Sequence, residues 1–166
     1  MHIREGSAGD LPSLTDLYNH YVVNTAITFD LEPFTVEARS AWFERFGRTP
    51  RHRLLVLDDG SSLLGYACSG ALRPKAAYDR SVETSIYLDP AHCGQGHGRR
   101  LYGALLDLLA EAGVHRCYGV ITAPNPASEQ LHRSLGFQPI GRMSECGRKF
   151  DRWWDVIWME RTLGAS

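Results

Sequence analysis

Nowhere in the 166 residues does an apolar run reach the length needed to cross a bilayer. The opening residues, Met1-His2-Ile3-Arg4-Glu5, also lack the basic stretch and apolar core of a secretory signal. Neither sign of charge dominates: 18 Lys and Arg against 19 Asp and Glu leave a formal charge of -1. That is not the basic excess by which nucleic-acid binders neutralise phosphates. Cysteine is sparse and scattered, and Cys68, Cys93, Cys117 and Cys146 form no C-x-x-C pair, which argues against a disulfide framework or a zinc knuckle. Repeats, linkers and low-complexity tracts are missing too. These absences predict a cytoplasmic protein whose partner is a small molecule rather than a nucleic acid or a membrane. The 43% of hydrophobic residues suffice for one globular domain over residues 1–166, and the length is short for two.

Periodicity predicts a short strand at Ile3-Arg4, then an amphipathic helix entered near Asp10 with Pro12 in its first turn. A loop from Asn24 to Phe34 precedes a second helix opening at Thr35. Arg53–Asp58 and Ser62–Leu72 read as a hairpin around the turn signal Asp58-Asp59-Gly60-Ser61. A strand Val82–Leu88, a helix from about Gly98 to Ala112, a strand Arg116–Ile121, a short helix Ser128–Leu135 and a terminal hairpin ending near Arg161 complete the order. The fold class this predicts is α/β, a mixed sheet flanked by helices, with the ligand where neighbouring strands diverge at their carboxyl ends.

Between a strand and a long helix stands Cys93-Gly94-Gln95-Gly96-His97-Gly98-Arg99-Arg100. Glycines let successive N–H groups converge on one anion, and the helix behind them adds its positive dipole end. Three alternate glycines directly before a helix exceed what a turn requires. A P-loop would need Gly-Lys-Ser/Thr, whereas Arg99 and Arg100 follow Gly98. A dinucleotide fingerprint would need a further glycine, where Arg99 or Leu101 stands. The pattern is that of a diphosphate seat of another kind. His92, His97 and Cys93 crowd the same loop, but their spacing matches no usual zinc pattern and no metal is expected.

The loop resembles the acetyl-CoA loop of the GNAT superfamily of N-acetyltransferases, Gln/Arg-x-x-Gly-x-Gly/Ala, from Cys93 through Gly96 and Gly98. Cys93 stands where Gln or Arg is usual, which implies weakened binding. Asn125-Pro-Ala-Ser128-Glu-Gln-Leu131-His132-Arg-Ser-Leu135-Gly136-Phe137 resembles the superfamily's Asn…Leu-Tyr…Gly-Phe segment. More specific is a likeness to the phosphinothricin and methionine sulfone type of amino-acid N-acetyltransferase. It is carried by Tyr18-Asn19, Thr28-Phe29, Gly65-Tyr66-Ala67, Ala77-Tyr78, Val82-Glu83-x-Ser85-Ile86-Tyr87, Leu131-His132 and Lys149-Phe150…Trp153-x-Asp155-Val156. These matches run nearly the whole chain in order. Lys75 stands where that family usually has Arg, keeping the charge without the bidentate fork.

The resemblance implies a GNAT-like fold whose mostly antiparallel twisted sheet splays at the acetyl-CoA site. It further implies acetyl-CoA as co-substrate, transfer to the amino group of a small amino acid or analogue, and a homodimer. The expected acetyl-CoA contacts are the backbone of Ile86, Tyr87 and Leu88, the segment Gly94, Gln95, Gly96, His97, Gly98 and Arg99, and the Asn125 side chain at the pantetheine arm. An amine at neutral pH must lose a proton before it attacks a thioester. Glu83 is the candidate base, on a polar strand face with Ser85 and Tyr87 beside the glycine loop; its plain alternative is a surface carboxylate on an edge strand, and the resemblance tips the choice. His132 stands where many members carry a Tyr credited with protonating the leaving thiolate, and a half-buried structural histidine is an equal alternative. Lys75, with Arg73, is a candidate clamp for a substrate carboxylate; Phe29 and Tyr78 are candidate pocket walls. Two other readings stay open: a non-catalytic CoA-binding sensor, and an N-acetyltransferase for a different small amine.

Overall fold

A computed structural model describes residues 1–164. Strand β1 (His2–Glu5) precedes helices α1 (Leu11–Asn24) and α2 (Val36–Phe43). Strands β2 (Leu54–Asp58), β3 (Leu63–Ala71) and β4 (Ser81–Leu88) follow, then α3 (His97–Glu111), β5 (Arg116–Ala123), α4 (Pro126–Ser134) and the hairpin of β6 (Gln138–Lys149) and β7 (Arg152–Thr162). They form one seven-stranded sheet in the order β1-β2-β3-β4-β5-β7-β6, antiparallel throughout except for β4 beside β5. The predicted mixed sheet and its element order are therefore found, with boundaries shifted by up to two residues at most ends. No helix among the described residues is long and apolar enough to cross a membrane.

Local chemistry explains the ends. Arg4 donates to Asp58 on β2 at 2.8 Å and to both carboxylate oxygens of Asp10 at 2.8 Å, while Asp10 accepts from the Ser7 N–H at 2.7 Å. This knot ties β1, β2 and the entry of α1 together. The Thr35 hydroxyl caps α2 by accepting from Ala38 N–H at 3.2 Å. Strand β2 is buried on both sides: Leu55 and Leu57 face the core under α3, whereas Leu54 and Val56 face the core under α1 and α2. Leu101, Leu105, Leu106 and Leu109 form the stripe by which α3 buries itself.

The feature that makes a site is an incomplete strand pairing. β4 and β5 run side by side only from Ser81–Thr84 against Arg116–Gly119. Beyond that, β4 continues against β3 as far as Leu88, and β5 continues against β7 as far as Ala123. The two central strands therefore part toward their carboxyl ends. The register of β4 against β3 runs unbroken from Val82 to Leu88, so the opening comes from divergence of the strands and not from a bulge in β4.

The terminal hairpin docks on the loop after α1. The Lys149 ammonium is buried and donates to the Thr28 carbonyl at 2.9 Å and the Asp30 carbonyl at 2.8 Å. Gly147 lies directly under the Phe29 ring, where a Cβ would come within 2.1 Å of the ring.

Candidate active site

The gap between β4 and β5 opens into a cleft of about 450 Å³, walled by Ile86, Tyr87 and Leu88 on one side, the glycine loop on another and Asn125, Ser128 and Leu131 on a third. Asp89 N–H donates to the Leu64 carbonyl across β3 at 2.8 Å. Strand alternation then turns the N–H groups of Tyr87 and Ser85 toward β3, and those of Ile86 and Leu88 toward the gap that β5 has left. Tyr21, from α1, donates its hydroxyl proton to the Leu88 carbonyl at 2.5 Å; burial foremost pushes this phenol up to about 12.

The glycine loop has the conformation its composition predicts. Gly94 and Gly96 have φ of +75° and +82°, and a Cβ at either would meet nothing within 4 Å. Among the described residues no backbone carbonyl accepts from the N–H groups of Gly94 through Arg99. Those of His97, Gly98 and Arg99 lie in the first turn of α3, where no carbonyl precedes them. Open amides, a helix dipole and the Arg99 side chain on the cleft wall fit a diphosphate. Gly98 does a different job. It lets α3 close on β4, because a Cβ there would stand 3.2 Å from Leu88.

The sequence of this cleft-bearing chain matches the family described as "Acetyltransferase (GNAT) domain" over residues 3–158. The chain belongs to the GNAT acetyltransferase family. It is 48% identical to the phosphinothricin N-acetyltransferase of Streptomyces coelicolor over 98% of this chain and 96% of that one. It is 35% identical to the L-methionine sulfoximine/L-methionine sulfone acetyltransferase of Pseudomonas aeruginosa, over 99% and 95%. Among solved structures it superposes with a TM-score of 0.93 on a phosphinothricin acetyltransferase from Sinorhizobium meliloti in complex with acetyl-CoA, at 34% identity, covering 98% of this chain and 88% of that one. GNAT enzymes take their acetyl group from acetyl-CoA, so this chain is an acetyl-CoA-dependent N-acetyltransferase.

Not every residue expected at the GNAT acetyl-CoA cleft lines it. Ile86, Tyr87, Leu88, Gly94, Gly96, Gly98, Arg99 and Asn125 do. Gln95 turns back, donating from Nε2 to the Ala91 carbonyl at 3.1 Å. His97 sits at the start of α3, off the wall. Asn125 spends its side-chain oxygen on capping α4, where it accepts from Ser128 N–H at 3.1 Å, leaving its amide NH₂ for a ligand.

Glu83 corrects the sequence reading most. It was expected beside the glycine loop, but it lines a separate cavity of about 490 Å³ with Ser85, Trp42 and His52. That is the α1–α2 side of the sheet, while α3 covers the other side. A third cavity, of about 370 Å³, shares Ser85 with the Glu83 cavity and Tyr87 with the cleft. Alternate residues of β4 thus form a track from carboxylate to cleft, about 13 Å long at about 3.3 Å per residue. Burial raises the Glu83 pKa above the ordinary carboxylate range, and the nearby positive charge of Arg73 opposes that rise.

His132 is 4% exposed and lines none of these cavities. Its Nδ1 lies 2.8 Å from the Ser128 carbonyl, which can only accept, so Nδ1 carries the proton. Nε2 then accepts from the Tyr102 hydroxyl at 3.2 Å, and that hydroxyl lies 2.6 Å from the Thr84 hydroxyl. Burial lowers the imidazole pKa and keeps the ring neutral. The ring thus sits in a buried hydrogen-bond chain behind the wall of the cleft.

The substrate candidates divide. Ser85 lines two cavities, but Arg73, Lys75 and Tyr78 stand exposed on the β3–β4 connection and line none. Phe29 packs on Gly147 instead. Tyr18, Asp30, Arg39 and Trp42, which line the third cavity beside Ser85, were not among the candidates. A signal existed: Arg39 falls between the apolar residues Val36 and Phe43 on one face of α2, where a charge is out of place.

Gly119 on β5 makes room for the histidine, since a Cβ there would stand 2.5 Å from Nε2. Gly119→Ala is expected to destabilise the fold by about 1–3 kcal/mol, read as a lower urea midpoint. An unchanged midpoint would show that the buried network yields freely.

Proposed function

We propose that the enzyme acetylates the α-amino group of a small L-amino acid or analogue of the phosphinothricin, methionine sulfone or methionine sulfoximine type, by direct transfer in a ternary complex. The observation that carries this reading is the meeting of two spaces at β4. An acetyl-CoA cleft lies on one side and a carboxylate-bearing pocket on the other, joined past Ser85 and Tyr87. The names of the Streptomyces and Pseudomonas relatives support the substrate class.

In this mechanism the amides of Gly94 to Arg99 hold the diphosphate and the gap-facing N–H groups of Ile86 and Leu88 hold the pantetheine arm. One of those N–H groups faces the thioester oxygen as charge develops there. Glu83, at the far end of the track, receives the ammonium proton through water, and its raised pKa narrows the gap to that proton's own. Cys68 is no nucleophile, since burial pushes its thiol up to about 12. Cys93 lies exposed at the cleft rim with no base in contact among the described residues.

Base catalysis needs the ionised carboxylate. The rate should therefore fall as pH drops through the raised Glu83 pKa, above the ordinary range near 4.5. Glu83→Gln is expected to lower kcat by about 10²–10⁴-fold, to remove that acid limb and to leave the Kd for CoA unchanged. Full activity in the variant would sink this role. Quenching the enzyme rapidly with labelled acetyl-CoA and no amine should leave no acetyl on Cys93; stoichiometric label there would refute direct transfer.

We also propose a homodimer built on the terminal hairpin. β6 is an edge strand of 12 residues, exposed along most of its length. Ile140, Met143, Phe150 and Trp153 each stand at least half exposed there, a pattern that invites pairing. Sedimentation equilibrium should give twice the 18.6 kDa chain mass, and Met143→Lys should shift it toward the monomer. A parent that sediments as a monomer would exclude the dimer.

A further inference from the structure

One buried side chain reaches both arms of the fork that β4 and β5 make. Tyr102, on the second turn of α3, is buried together with Thr84 and His132. Its hydroxyl lies 2.6 Å from the hydroxyl of Thr84, the last β4 residue to pair with β5. On the other side it lies 3.2 Å from Nε2 of His132. That ring rests on Gly119, the last β5 residue to pair with β4. The Thr84 hydroxyl also stands 3.1 Å from the Tyr118 carbonyl on β5. Four elements, α3, α4, β4 and β5, thus meet through three polar side chains at the rung where the strands part. Neither Tyr102 nor Thr84 lines the cleft or the two neighbouring cavities, and the mechanism above uses neither hydroxyl.

Apolar packing is non-directional and would tolerate a seam that closes or opens by a rung. Buried hydrogen bonds fix distance and direction, and a connected set of them specifies one arrangement. The position of the fork matters because of what comes next. The first N–H beyond it that faces the gap belongs to Ile86, two residues past Thr84 and so about 6.6 Å away at about 3.3 Å per residue. One further rung of pairing would spend that N–H on β5. We infer that the Tyr102 and Thr84 hydroxyls are positioning groups for the acetyl donor. They tie both arms of the fork to α3, set the rung at which the seam opens, and so keep the Ile86 and Leu88 N–H groups free for the pantetheine arm. The first turn of the same helix carries open amides of the diphosphate seat, so α3 aligns both halves of the donor. The inference lies beyond the acceptor chemistry proposed above and rests on one part of that reading, the assignment of the gap-facing N–H groups to the arm.

The test uses three variants of the full chain, each first shown to melt cooperatively by circular dichroism. Tyr102→Phe and Thr84→Val each remove one hydroxyl and keep the shape, whereas Thr84→Ser keeps the hydroxyl. Binding is read by calorimetric titration with CoA and with adenosine 3′,5′-bisphosphate, the nucleotide end of CoA without its arm. Tyr102→Phe and Thr84→Val are each expected to raise the Kd for CoA about three- to tenfold, with the Kd for the bisphosphate unchanged. Thr84→Ser should recover the parent's affinity for CoA. If one of the hydroxyl-free variants does not fold, the other supplies the reading. The inference is overturned if the folded variants bind CoA as tightly as the parent, if the bisphosphate weakens in step with CoA, or if Thr84→Ser is as weak as Thr84→Val. The assignment of the arm is checked separately, in the parent alone. A parent that binds CoA no more tightly than the bisphosphate gains nothing from the gap, and both the assignment and the inference then fall.

Discussion

The parting of β4 from β5 after Thr84 and Gly119 is the constraint on which everything else in the molecule depends. A parallel pair buried in mid-sheet would ordinarily continue its ladder, because unpaired amides away from water are costly. Here each strand keeps its other neighbour for its full length, β3 for β4 and β7 for β5. The parting therefore costs the fold only the bonds of one seam. Those amides become a linear binding surface at the centre of the sheet, continuous with the second set of open amides at the start of α3.

Charge is distributed differently on the two sides of the sheet. On the α3–α4 side His132, packed on Gly119 at the end of the seam, is kept neutral inside a chain of hydrogen bonds. On the α1–α2 side Glu83, Asp30 and Arg39 line two adjoining cavities. In the proposed mechanism the donor side works through dipoles and backbone, and the acceptor side through full charges. In a low-dielectric pocket such charges act strongly over short distances, which suits selection among small polar molecules and the removal of a proton.

Much of this was legible in the sequence, for reasons that can be stated. The strands and helices follow the periodicity of their apolar residues, and the loop from Cys93 to Arg100 announces itself through glycines whose positive φ no other residue takes easily. Backbone binding leaves its mark as small residues at fixed spacing, so the acetyl-CoA cleft could be read almost residue by residue. The acceptor side could not. Glu83 was found on one strand face with Ser85 and Tyr87, but strand alternation fixes which residues share a face and not which helix covers that face. Arg73, Lys75 and Tyr78, singled out through the family pattern, stand exposed on the β3–β4 connection, whereas Arg39, Asp30 and Ser85 come together only through the packing of three elements. His132 shows a further limit: burial cannot be read from a helix position that ends half a turn from solvent.

The contact of Lys149 with the carbonyls of Thr28 and Asp30 couples the far end of the chain to one wall of the acceptor pocket. No residue of β6 or β7 lines that pocket, yet the hairpin fixes the loop from which Asp30 projects. On the proposed reading, selectivity among amines can drift through changes in the hairpin, at a distance from the chemistry, while the thioester's seat stays intact. A lineage of such enzymes can thus acquire new acceptors without rebuilding the half of the molecule that handles the acetyl donor.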